Sequence, residues 1–298
     1  MPVTLPSRRT FLAASAGILV VRPARAADAD PHRVALLSDT HIGEKPEELS
    51  REWNMADRLK QVAAEVAKLD PKPACAVVNG DLAYKTGTAD EYTLFAKLIE
   101  PVRASGIPLH LGLGNHDSFD RFAAGLDRLR PKDRPVDGKQ VLVVELDRVN
   151  LVVLDSFDPK NAIGGKLGES QLKWLATALD ARKDKPAVVC VHHPLQFEAD
   201  KSGKYGGLAD STGLWPILKE RAWVKAFVFG HTHTWKLAER DGVHLVNLPA
   251  IGYPFGKAEV TGWVDAAFTE TGVKLEVRAL DPKHAKHGDR AELTWRKG

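Results

Sequence analysis

Cysteine is nearly absent: two in 298 residues, too few for a disulfide framework or a thiolate metal site. Cys75 and Cys190 each fall inside a short apolar run. Cysteine there packs as a small hydrophobe, so both read as core thiols, with a disulfide as the minority reading. The chain has no internal repeat and no low-complexity tract. It also lacks an apolar run of the ~20 residues that a spanning helix needs. The one extended apolar stretch, Phe11–Val21, is about half that length. A strong excess of positive charge is missing too. The whole chain holds 42 Lys and Arg against 39 Asp and Glu, a net +3. Four of the arginines and no acid fall in residues 1–26, so the remainder carries 38 against 39, or −1. That balance excludes the basic footprint of a protein that binds a nucleic-acid polymer.

The first residues read as an address. Ser7-Arg8-Arg9-Thr10-Phe11-Leu12 is a twin-arginine pattern, the apolar stretch follows it, and Ala24-Arg25-Ala26 fits an A-x-A cleavage box. Residues 1–26 are therefore expected to be a removable signal read by the twin-arginine translocation machinery. Residues 27–298 would be one exported domain, periplasmic or extracellular, with no membrane span in the mature form. Arg25 inside the box, and no Lys after Leu12, depart slightly from the usual pattern.

Downstream, apolar runs alternate with helical periodicity. Strands are expected at Arg33–Leu37, Ala74–Val78, Ile107–Leu113, Ala187–Val191 and Lys225–Phe229. Helices are expected near Arg51–Lys68, Ala89–Ala104, Phe119–Leu129, Glu169–Ala181 and Gly213–Arg221. Val141–Leu146 and Val149–Leu154 read as an antiparallel hairpin. Further strands are expected at Trp235–Arg240, Val243–Asn247, Thr261–Thr269 and Gly272–Leu280. Residues 158–167 read as loop. Repeated β-α-β units predict an α/β fold with a parallel core and antiparallel edges.

Five polar clusters directly follow buried-looking runs: Asp39-Thr40-His41, Gly80-Asp81, Gly114-Asn115-His116-Asp117, His192-His193-Pro194 and Gly230-His231-Thr232-His233. Ligands of open α/β sheets bind beyond the carboxyl ends of the strands. Those ends would deliver oxygen and imidazole donors, with no thiolate, to one edge. Such a set suits two hard or borderline divalent ions. Within Asp39-x-His41 and His231-x-His233, residues i and i+2 share a face if the segment is extended. Asp81 sits between the other blocks and is the best candidate to bridge.

The ordered set D-x-H, G-D, G-N-H-D, a lone His and G-H-x-H resembles the calcineurin-like binuclear metallophosphoesterases. The first block and G-N-H-D lean toward their cyclic-nucleotide and glycerophosphodiester phosphodiesterase branch. The resemblance implies a four-layer α/β/β/α sandwich of two mixed sheets with the metal site at the strand carboxyl ends. It implies that Asp39, His41, Asp81 and His233 hold one metal, and that Asp81, Asn115, His192 and His231 hold the other. The metals would be Mn, Fe, Zn or Co, roughly 3.5–4 Å apart, with a bridging hydroxide attacking a small phosphate-ester substrate. His192, two residues before Pro194, takes the ligand role, and His193 would line the mouth or face away. His116 is left as general acid or phosphate-orienting group, with Asp117 fixing its tautomer. Tyr84 stands three residues after Asp81, the spacing of the tyrosinate ligand in purple acid phosphatases. Because His41 is present, it reads as a supporting residue. Glu44–Met55 with Trp53, Gln196–Gly213 with Lys204 and Tyr205, and Asn247–Gly256 with Tyr253 and Phe255 are candidate walls of the site. No Arg stands beside the five blocks in sequence, which favours a diester over a dianionic monoester. A phosphatase, or less readily a non-catalytic metal-binding scaffold, is the alternative.

Overall fold

The computed structural model describes residues 29–130, 133–204 and 206–297. The expected signal, residues 1–26, and Tyr205 lie outside them. In chain order the strands are β1 (Ala29–Leu37), β2 (Leu49–Ser50), β3 (Trp53–Asn54), β4 (Lys72–Asn79), β5 (Leu109–Gly112), β6 (Leu142–Glu145) and β7 (Asn150–Val153). They continue as β8 (Ala187–Cys190), β9 (Val224–Phe229), β10 (Lys236–Arg240), β11 (Val243–Asn247), β12 (Gly262–Phe268), β13 (Gly272–Ala279) and β14 (Arg290–Thr294). The helices are α1 (Met55–Ala67), α2 (Ala89–Ala104), α3 (Phe119–Gly125), α4 (Glu169–Asp180) and α5 (Ser211–Lys219). None of these helices is long and apolar enough to cross a membrane.

Two six-stranded mixed sheets form, in the orders β14-β13-β12-β1-β4-β5 and β10-β11-β9-β8-β7-β6. β1, β4 and β5 run parallel, as do β7, β8, β9 and β11. The alternation of side chains along each strand divides the core into three layers. Leu37, Ala76, Val78 and Leu111 pack under α1 and α2 with Leu59, Val62, Phe95 and Ile99. Leu36, Cys75 and Val77 meet Val144, Leu151, Val188, Cys190 and Val228 between the sheets. Val152, Val189 and Phe227 pack under α4 and α5 with Leu175, Leu214 and Leu218. The order helix, sheet, sheet, helix follows directly. Cys75 and Cys190 are both buried and form no disulfide.

Three expectations change. The helix expected from Arg51 begins only at Met55, because Asn54 caps it by accepting from the Asp57 N–H. Before it, β2 and β3 close a hairpin whose tip, Arg51 and Glu52, has φ of 49° and 75°. The helix expected through Leu129 ends at Gly125 and continues as a 3-10 turn, Asp127–Leu129. β14 was not expected at all: it alternates exposed and half-buried residues at a sheet edge.

Candidate metal centre

The ends of β1, β4, β5, β8 and β9 carry the five blocks to one edge. Asp39, His41, Asp81, His192 and His233 are buried, while Asn115, His116 and His231 are half-buried. His41 Nε2 lies 3.0 Å from His233 Nε2, 3.8 Å from Asp39 Oδ1 and 3.6 Å from Asp81 Oδ2. His233 Nε2 is 3.3 Å from Asp39 Oδ1, and His192 Nε2 is 3.2 Å from Asp81 Oδ2 and 3.9 Å from Asp39 Oδ1. The rings of His192 and His231 are 5.2 Å apart. Asp81 thus stands between His41 and His192.

The i, i+2 pairs are not extended. Asp39, His41, Asp81, His231 and His233 have φ of 54°, 48°, 51°, 67° and 54°, a left-handed conformation that costs roughly 1–2 kcal/mol per non-glycine residue. Tight turns, not strand alternation, aim these side chains together. Two glycines permit the crowding. A Cβ on Gly114 would strike the Asp81 carboxylate, and one on Gly230 would strike Ser38 and Asp39.

Neighbouring carbonyls orient the rings. His192 Nδ1 donates to Asn79 O at 3.0 Å and His233 Nδ1 to Tyr253 O at 2.6 Å, which turns each Nε2 lone pair toward the carboxylates. Asn115 Nδ2 donates to Ala162 O at 3.1 Å, so its Oδ1 is the atom left over. That Oδ1 is buried with no hydrogen-bond partner, and His192 Nε2 has only the Asp81 carboxylate beside it, which is how donors meant for a cation stand. Burial favours the neutral acids, yet His192 and His233 hold Asp39 well below the usual carboxylate range, and His192 and His41 do the same for Asp81. Burial pushes His41 down to about 3 and His231 to about 4. His192 goes the other way: burial opposes its charge, but Asp81 and Asp39 raise it to about 9. Among the described residues no Lys or Arg pairs with this cluster. Two buried carboxylates therefore form a negative well, which a proton on His192 or a divalent cation would fill.

Two expected roles change. Asp117 does not meet His116. Its carboxylate accepts from the N–H groups of Leu82, Ala83 and Gly114 at 3.2, 3.2 and 2.9 Å and from the Tyr92 hydroxyl at 3.2 Å. It clamps the Asp81 turn to the Asn115 turn. Burial and the Asp81 charge push its carboxyl up to about 7, against three N–H donors that favour the anion. His193 neither lines the mouth nor faces away. It is fully buried, with Nδ1 2.7 Å from Ser156 Oγ and Nε2 3.1 Å from Ile163 O. It latches loop 158–167, whose Ala162 carbonyl holds Asn115. Its neighbour Pro194 marks His192 as the family ligand but carries no sign of this latch.

His116 stands edge-on to His41, centroids 4.9 Å apart, and its Nδ1 has no hydrogen-bond partner. Tyr84 is edge-on to His41 at 6.4 Å, a supporting contact. Tyr253 faces His41 and His233 at 4.9 and 4.8 Å, and Phe255 stacks on His233. Arg51 and Asn79 escaped the sequence reading. Arg51 reaches the site through a turn that resembles a helix start, and Asn79 acts through its main chain.

A profile of the calcineurin-like phosphoesterase family matches residues 32–235, which contain all five blocks. The chain is 27% identical over 217 residues to a 3′,5′-cyclic adenosine monophosphate phosphodiesterase, CpdA, of Pseudomonas aeruginosa, over 72% of this chain and 74% of that protein. It is 29% identical over 161 residues to a probable glycerophosphodiester phosphodiesterase, GpdQ, of Arcobacter nitrofigilis, over 54% of this chain and 56% of that one. Its fold matches a dimetal phosphatase from Danio rerio with a TM-score of 0.68 and 14% identity, over 90% of this chain and 100% of the other. With the profile covering strands of both sheets and every donor block, the chain belongs to the calcineurin-like phosphoesterase family, the metal-dependent hydrolases of phosphate esters.

Proposed function

We propose that this chain is a phosphodiesterase that works with two divalent ions. The observation that carries the reading is the convergence of Asp39, His41, Asp81, His192, His231 and His233 at one sheet edge, with Asn115 Oδ1 buried and unpartnered. Asp39, His41, Asp81 and His233 would hold one ion; Asp81, Asn115, His192 and His231 would hold the other. The ions would neutralise phosphate charge and acidify a water. The residues do the rest. The donors fix the phosphoryl position, the left-handed turns keep them there, and His116, edge-on to His41 with no hydrogen bond to its ring, would serve as the acid toward the leaving-group oxygen. The absence of a paired Lys or Arg at the cluster, among the described residues, supports a monoanionic diester over a dianionic monoester. The two relatives named above, both phosphodiesterases, support the same choice.

The test is hydrolysis of bis(p-nitrophenyl) phosphate and p-nitrophenyl phosphate by the chain from residue 27 onward, with Mn²⁺, Zn²⁺, Fe²⁺ or Co²⁺ added. The diester is expected to turn over faster, and a faster monoester makes this a phosphatase. Elemental analysis is expected to give two metals per chain. Asp81→Asn should remove metal and at least 10²-fold of activity, since removing groups that neutralise transition-state charge costs about that much. One metal per chain, with an active Asp81→Asn, overturns the binuclear reading. Metal with no turnover on either ester leaves a scaffold.

We further propose export by the twin-arginine route, supported by Arg8, Arg9 and the Ala24-Arg25-Ala26 box. Arg8→Lys with Arg9→Lys should keep the protein in the cytoplasm. Unchanged export of that variant, or a mature N-terminus before Ala27, sinks the routing or the cleavage.

A further inference from the structure

Large apolar side chains that stand exposed are confined, among the described residues, to Leu49, Trp53, Ile163 and Phe255, at 58%, 41%, 61% and 50%. Scattered singly, such residues mean little. These four sit on the segments that border the metal centre. Phe255 lies flat on His233, centroids 4.0 Å apart and planes 6° apart. Because His233 fills one face of that ring, the Arg51 guanidinium, 5.2 Å from its centroid, covers the other. Arg51 is at the tip of the β2–β3 hairpin, which also carries Leu49 and Trp53. Ser50 of this hairpin hydrogen-bonds Tyr253, whose ring faces His41 and His233. Ile163 belongs to the opposite flank: its carbonyl accepts from His193, and the preceding Ala162 carbonyl accepts from Asn115.

A polar, charged centre is thus rimmed on both sides by apolar surface, with one planar cation laid on the aromatic side. A hydrated, glycerol-like substituent gains nothing from such walls. A planar apolar one gains contact area and ring stacking, on the edge of Phe255 and on the guanidinium plane of Arg51. Exposed apolar surface around a site of converging polar groups is the usual makeup of a small-molecule pocket mouth. We infer that Phe255 with Arg51, and Ile163 across from them, are specificity-determining residues that hold a planar apolar substituent of the diester, an aryl or nucleoside group, over the metal centre. The inference rests on the phosphodiesterase reading.

Methyl p-nitrophenyl phosphate and phenyl p-nitrophenyl phosphate share charge and leaving group. In each, the P–O bond to nitrophenolate breaks, a P–O bond to water's oxygen forms, and only the retained substituent differs. The readout is the ratio of kcat/KM, phenyl over methyl, in the metal-loaded enzyme. Phe255→Ala should lower that ratio roughly three- to tenfold, the worth of one aromatic contact, and Ile163→Ser about twofold or more. Any disturbance of His233 by Phe255→Ala lowers both rates and cancels in the ratio. Arg51→Ala should lower the ratio without loss of bound metal. A ratio unchanged in all three variants, with both substrates cleaved, overturns the apolar rim and leaves the phosphodiesterase reading intact. Cleavage of neither substrate by the unmodified enzyme overturns that reading itself.

Discussion

Five of the eight non-glycine residues with positive φ among the described residues belong to the candidate metal centre. At roughly 1–2 kcal/mol each, that strain is a large share of the ordinary 5–15 kcal/mol stability of a domain. It persists because the packed sheets beneath overdetermine the turns, and it concentrates where side chains must be aimed. His116 is different: no hydrogen bond to its ring fixes it, and only its N–H is anchored, to Asp81 Oδ1 at 3.0 Å. Its ring also lies within reach of His41 and Asp81, and the role proposed for it is proton delivery. In that role, His116→Asn is expected to keep the bound metal and to lose about 10²–10⁴-fold in turnover. The loss should be larger for an alkoxide leaving group than for nitrophenolate, which needs little protonation. Equal losses on both would make His116 a phosphate-orienting group, and a lost metal would make it a ligand.

At the scale of elements, the β2–β3 hairpin is the piece most at odds with local preference. Its two tip residues, Arg51 and Glu52, adopt the positive φ usually given to Asn-Gly. Arg51 lies over Phe255; Glu52 is exposed, and its side chain makes no hydrogen bond or ion pair among the described residues. Glu52→Gly should relieve the strain and stabilise the fold by about 0.5–1 kcal/mol, the left-handed cost less the added chain entropy, with kcat unchanged. A lower urea midpoint would show that Glu52 is held by something other than the turn. The same hairpin shows where the sequence misleads: Met55, Leu59, Val62 and Val66 give the helix its period, but the period does not say where it starts. α2 starts at Ala89, where the sequence placed it, because Thr88 and Glu91 make a reciprocal capping box. The five donor blocks were legible because each follows a buried strand. Asp117 and His193 were not, since adjacency in sequence says nothing about which backbone N–H or carbonyl a side chain reaches after the turn. β14 escaped because an edge strand buries too little to print a pattern.

For the whole molecule, the response to acid depends on buried imidazoles that folding keeps neutral. His110 on β5 is the instance outside the metal centre: it is buried, its Nε2 has no partner, and burial lowers it from 6.5 to about 4. The unfolded chain takes up a proton near pH 6.5, whereas the folded chain refuses it until about pH 4. The unfolded state therefore binds more protons between these values, and stability falls as pH falls through that window. Above pH 6.5 the contribution is fully present. At pH 5 about 2 kcal/mol of it is gone, at roughly 1.4 kcal/mol per pH unit. Burial also lowers His41 and His231, to about 3 and about 4, so the informative quantity is a difference between two proteins that share them. His110→Leu, which keeps the site apolar and filled, should lose about 2 kcal/mol less than the parent between pH 7 and pH 5, read from urea midpoints with metal present. Parallel curves for the two proteins would mean that His110 finds a proton or a partner in the folded state, and that acid sensitivity resides in the metal centre alone.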